Sequence, residues 1–179
     1  MLKALVEAVC ARLGTLPGVA TCRPYAGELA ASTQAPLLVP ALLVVVAELK
    51  AAPEDGTGRA ALTAALICYV CTRFVGNAVG RGDEAWALAE AVLARAHLAR
   101  WGLAGVDPAR LLGARPIWSF ETAAGMAVRE VRWAQDLRLG VSEWDGGATP
   151  TEIYLGIAPR IGPDHVDDYW RVDALPELP

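Results

Sequence analysis

Histidine, lysine, methionine and phenylalanine each occur only twice in 179 residues, and cysteine four times. Imidazole is the commonest general base and a frequent metal ligand, so a chain holding only His97 and His165 has few ways to build either site. There is no Gly-x-Ser-x-Gly elbow, no phosphate loop and no dinucleotide-binding glycine pattern. The expectation is a protein that is not an enzyme, with no catalytic residue, no metal and no cofactor. Basic clusters are missing too: the only lysines are Lys3 and Lys50, the arginines are scattered, and the net charge is -4. A phosphate-tracking patch is therefore not expected, nor is nucleic-acid sequence recognition. Long apolar runs are also absent, because Leu37 to Ala47 is broken by Pro40 and falls short of the roughly 20 residues of a membrane helix. Glu7 and Arg12 interrupt the opening apolar stretch as no signal peptide would allow. No membrane association is expected, and the expected compartment is the cytosol.

In a reducing compartment the four cysteines read as small core residues. Cys68 and Cys71 have the spacing of a redox or zinc half-site. Their segment has strand composition, however, and residues three apart in a strand point to opposite faces. His97 falls in the last turn of a predicted helix, where a polar tip complements the carbonyl end. His165, within Asp164-His-Val-Asp167-Asp168, has the donor types of a mixed cation site but no second ligand cluster, and reads as a solvated acidic turn.

What the chain does have is apolar residues: 54% of the sequence is hydrophobic and 20% charged, enough for one sizeable core. Leu2, Leu5, Val6, Val9 and Leu13 fall on one helical face, ended by Gly14 and Pro17-Gly18. An extended piece from Ala20 to Tyr25 precedes a loop. Ala41 to Lys50 reads as a strand buried on both faces, and the turn residues from Pro53 to Gly58 join it to an antiparallel strand from Arg59 to Phe74. A Gly-rich loop, Gly76 to Gly82, leads to a helix from Asp83 to about Arg100. Its inner face is read as Trp86, Ala89, Val92, Leu93 and Ala96, with Ala87, Ala91 and Ala94 left outward. Arg115 to Phe120 and Met126 to Leu139 are two more strands. In the second, Met126 and Val128 hold one phase while Val131, Trp133, Leu137 and Leu139 hold the other, and a β-bulge near Arg129 is the expected remedy. The predicted fold is α+β, a mostly antiparallel sheet with both helices on one face.

After Gly140 the composition shifts to glycine, proline and aromatic residues. Residues 1–139 are read as the α+β core domain and 140–179 as an extension with a short strand near Tyr154 and an aromatic, extended tail. Exposed aromatic residues on a polar segment bury much area at small entropic cost, which makes them interface candidates. The candidate interface residues are Gly76, Asn77 and Arg81 in the Gly-rich loop, and Trp144, Tyr154, Tyr169 and Trp170 in the extension.

Several segments, in order, carry a family resemblance. They are Leu5-Val-Glu-Ala-Val-Cys-Ala-Arg-Leu13, Pro24-Tyr-Ala-Gly-Glu-Leu29, Pro40-Ala-Leu-Leu-Val44, Gly58-Arg-Ala-Ala-Leu-Thr63, Trp86-Ala-Leu-Ala-Glu-Ala-Val-Leu93 and Ala114-Arg-Pro-Ile-Trp118. Over about residues 1 to 139 the chain resembles small tail proteins of Mu-like contractile-tailed bacteriophages and prophages, similar in element order to tail terminators. The resemblance implies a structural protein that caps the tail tube as a ring, a homohexamer, ending tail growth and presenting the head-attachment surface. It implies as partners the chain itself, the tube and sheath proteins, and a head-completion or neck protein. The implied location is the host cytoplasm during assembly and then the head-proximal end of the virion tail. The long extension departs from the compact family pattern. Two other readings stand beside this one: another neck or tail-completion protein, and a bacterial small-molecule-binding domain, which would need a deep pocket with convergent polar groups.

Overall fold

A computed structural model describes residues 1–29, 37–54, 56–73, 83–117, 126–143 and 152–172. The chain divides into two compact units, residues 1–142 and 143–179. The first unit runs α1 (Leu2–Leu13), β1 (Thr21–Pro24), β2 (Ala41–Ala51), β3 (Ala60–Arg73), α2 (Asp83–Ala96), β4 (Arg110–Pro116) and β5 (Met126–Leu139). Its five strands lie in the order β1-β2-β3-β5-β4. β1 is parallel to β2 and every other pair is antiparallel, so this is an α+β unit on a mixed sheet. Among the described residues no helix is long and apolar enough to cross a membrane.

The main core lies between the helices and one face of the sheet. α1 contributes Leu5, Val9 and Leu13, and α2 contributes Ala89, Val92 and Ala96. They meet Leu42 and Val44 of β2, Leu66, Cys68 and Val70 of β3, and Val131, Trp133 and Leu137 of β5. Each fully buried leucine or valine contributes roughly 1.5 to 3 kcal/mol, and both helices cover the same face, as expected. α1 ends on Gly14, whose right-handed φ of -63° shows that its role is spatial. A Cβ there would stand 3.3 Å from that of Cys22 on β1, so glycine lets the helix end lie close against the strand.

The phase change in β5 has a different cause from the bulge expected near Arg129. β3 and β5 pair without interruption from Ala60–Leu139 to Arg73–Met126. Val128 keeps strict alternation and enters a second, smaller core on the opposite face, formed with Leu29, Ala41, Leu43 and Cys71. Two faces are buried at that end of the sheet, so two apolar phases are needed and no residue is inserted. Register shifts occur instead at Val46/Glu48 in β2 and Leu111/Gly113 in β4. The same two cores place Cys68 on the helix side and Cys71 on the other, as strand alternation predicts.

Four other expectations are corrected. β2 is buried on both faces only from Ala41 to Val44, the stretch that β1 flanks; from Ala47 onward it is exposed. α2 ends at Ala96 rather than near Arg100, which leaves His97 just beyond the helix. Trp86 is not on the inner face: it is 37% exposed and covers the Arg129 guanidinium, 5.1 Å from the ring centroid. β4 starts at Arg110, five residues before Arg115, because Val106 and Asp107 already bridge to β5 through Leu137 and Asp136.

Candidate interface

Of the expected interface residues, Gly76, Asn77, Arg81 and Trp144 lie outside the described residues. Tyr154, Tyr169 and Trp170 belong to the second unit, where β6 (Tyr154–Leu155) pairs with β7 (Trp170–Arg171) across a 3-10 turn, Pro163–Asp168. The segment expected to be an extended tail therefore closes on itself. Tyr169 is the residue that closes it. Its ring lies so near Gly156 that a Cβ there would stand 2.7 Å from Cε1, and its hydroxyl accepts a 2.9 Å hydrogen bond from the Gly162 N–H.

Tyr154 and Trp170 point outward, each 52% exposed. The Tyr154 hydroxyl donates to Glu152 at 2.8 Å, and Glu152 also pairs with Arg171. Ile153, Leu155, Ile157 and Ile161 are exposed beside them. A two-stranded ribbon is marginal alone, and the large apolar side chains of this one are turned outward. His165 Nδ1 lies 3.1 Å from an Asp168 carboxylate oxygen, and among the described residues no three His, Cys, Asp or Glu side chains are grouped as a metal site.

On the first unit, the sheet face opposite the helices carries a charged ladder that the linear sequence hides. Arg115 and Arg132 both pair with Glu130, at 3.0 and 3.3 Å, and Arg110 pairs with Asp136. The Glu130 side chain is 6% exposed and that of Arg115 65%, so the carboxylate lies beneath and the cation outside. Thr63 donates its hydroxyl hydrogen to Asp136 as well. The Arg110 hydrogen bond, opposed by desolvation and helped by Thr63, holds the Asp136 carboxyl below its usual value. The signal for this ladder was present: Glu130, Arg132, Asp136 and Arg138 recur at even positions of β5. Which other strands would supply the partners depends on register alone.

Cys10, Cys68 and Cys71 are buried thiols and Cys22 is half-buried. Cys10 on α1 and Cys22 on β1 share a hydrogen bond that holds Cys10 below and Cys22 far above the ordinary value. Burial raises Cys68, and pushes Cys71 up to about 12 with help from Glu28. Of the outward alanines on α2, Ala87 and Ala94 are exposed, whereas Ala91 packs against the core. An open groove of about 420 Å³ between α1 and β2 is lined by Leu2, Val6, Tyr25, Val44 and Val46. Its charged lining is the Lys3–Glu7 pair on α1, which leaves no convergent polar set to orient a small ligand. No family model matches the chain, and no curated protein matches it in sequence.

Proposed function

We propose that this protein is a structural component of a contractile phage tail, or of a related prophage or tail-like particle. In this reading it caps the tail tube as a hexameric ring, ends tail growth and presents the head-attachment surface. Its partners are further copies of itself, the tube and sheath proteins, and a head-completion or neck protein. The tail reading rests on the resemblance of residues 1–139, and the observation that supports an assembly role is the second unit, which turns Tyr154, Trp170 and their aliphatic neighbours outward on a two-stranded ribbon. An assembly protein has a use for such a surface, as a place to bury apolar area against a neighbouring subunit. The α+β order of the first unit and the shallow apolar groove agree with an assembly role.

The test is imaging of tails assembled with Tyr154→Ser/Trp170→Ser protein. Tails of irregular length without heads are the expected result. Normal, head-bearing tails would remove the aromatic surface as the assembly contact, and failure of the unaltered protein to localise to the tail end would overturn the reading.

A further inference from the structure

Three arginines from three different elements open onto one cavity. Arg12 stands in the last turn of α1, Arg95 in the last turn of α2, and Arg100 in the turn after α2. With Ala99, Trp101 and Gly102 they line an open cavity of about 270 Å³. Among the described residues no carboxylate pairs with any of the three guanidinium groups, in contrast to the arginines of the sheet ladder. A cation in the last helical turn complements the carbonyl end, which accounts for Arg12 and Arg95 one at a time. It does not account for Arg100, nor for three exposed like charges around one space, whose mutual repulsion, partly screened by water and salt, an anion among them would offset.

The turn that presents Arg100 is built with unusual rigidity. Leu98 and Trp101 have φ of 56° and 57°, a left-handed conformation that costs a non-glycine residue about 1 kcal/mol or more. Gln135 of β5, fully buried, clamps both sides of it. Its Nε2 donates to the carbonyls of Ala99, at 2.9 Å, and Asp107, and its Oε1 accepts from Trp101 Nε1 at 2.8 Å. The Arg100 backbone thereby lies between two hydrogen-bonded residues, with its side chain exposed.

The complementary charge is in the other unit. Residues 1–142 hold fourteen basic and twelve acidic residues, a net of +2, whereas residues 143–179 hold two and eight, a net of -6. Asp164, Asp167 and Asp168 stand exposed on the 3-10 turn, and among the described residues Asp164 and Asp167 have no partner.

We propose that the Arg12, Arg95 and Arg100 cavity receives the acidic turn Asp164–Asp168 of a second copy of this chain. The contact is heterologous, one patch meeting a different patch on the next subunit, as a closed ring requires, and guanidinium groups suit carboxylates through paired N–H donors. It rests on the ring reading and gives that ring one specific joint.

Lys3 and Lys50 are the only natural lysines, so Arg100→Lys puts a carbodiimide-reactive amine at the cavity and keeps its charge. Tails are assembled with an equal mixture of heavy-isotope-labelled Arg100→Lys protein and unlabelled unaltered protein, then cross-linked. Mixed-isotope links from position 100 to Asp164 or Asp167 are expected; same-chain links alone, or none, overturn the contact. In concentrated solution, Arg12→Glu/Arg95→Glu/Arg100→Glu is expected to weaken self-association by about tenfold or more, and a partner carrying Asp164→Arg/Asp167→Arg to restore it. A loss that this partner does not restore, with the fold intact by circular dichroism, also overturns the contact. Normally capped tails made with the triple-glutamate protein would remove this joint and leave the ring reading standing, whereas absence of the unaltered protein from the tail end would remove the ring reading itself.

Discussion

Among the described residues Trp133 is the largest fully buried side chain, with its ring centroid 6.0 Å from that of Trp101. Trp133→Ala is expected to cost roughly 3 to 5 kcal/mol in denaturant unfolding, because the sheet and helices cannot collapse into the space. A loss below about 1 kcal/mol would contradict its burial. Asp136 yields a pH prediction. Its folded-state pKa lies below the unfolded value near 3.8, chiefly through Arg110. Its ionised form therefore stabilises the protein above that unfolded value, and the contribution disappears as pH falls through the lower, folded one. The stability gap between the unaltered protein and Asp136→Asn should be constant above about pH 5 and shrink below about pH 4, read as unfolding midpoints across the series. At this scale much was legible. Val131, Trp133 and Leu137 inward and Arg132 and Asp136 outward follow from alternation alone. Trp86 did not follow, since it was grouped with Ala89, Val92, Leu93 and Ala96 on the inner face, whereas it is 37% exposed and covers the buried Arg129 of a distant strand.

At the scale of elements, the bounds of α1 and β5 agree with the sequence pattern to the residue, because an amphipathic stripe and a long apolar strand are local properties. The bulge shows where a local reading stops. A change of phase has two solutions, an inserted residue or a second buried face, and only the neighbours of Val128 choose between them. Val128→Ala therefore should destabilise by roughly 2 kcal/mol, from lost methyl burial and a residual cavity; a change under about 0.5 kcal/mol in chemical denaturation would place Val128 in solvent. In the second unit, Gly156→Ala is expected to open the β6–β7 pair by driving a Cβ into the Tyr169 ring. Faster amide exchange at Leu155 and Val172, with exchange in β3 and β5 unchanged, is the measurement. Equal protection in the variant would show that the ring can yield.

At the scale of the whole molecule, the two units differ in kind: one has a double-faced sheet core and a net charge of +2, the other an exposed ribbon and a net charge of -6. Removal of residues 143–179 should change the net charge from -4 to +2 and leave the thermal unfolding of the sheet unit within a few degrees of the full chain. A collapse of that transition would show that the sheet depends on the extension.

The sequence by itself determined the periodic elements, the side of the sheet that meets the helices, the opposite placement of Cys68 and Cys71, and the change in character after Gly140. All of these depend on neighbours one to four residues apart, where helix and strand geometry leave little choice. Tertiary structure alone decided that the small second core relieves the phase conflict in β5, and that Glu130 holds Arg115 and Arg132 together. It also decided that Arg12 of α1, Arg95 of α2 and Arg100, on a turn held by Gln135, share one cavity. These groupings join residues as distant in sequence as Leu29 and Val128, or Arg12 and Arg100, and register and helix packing, not spacing along the chain, determine which distant residues become neighbours.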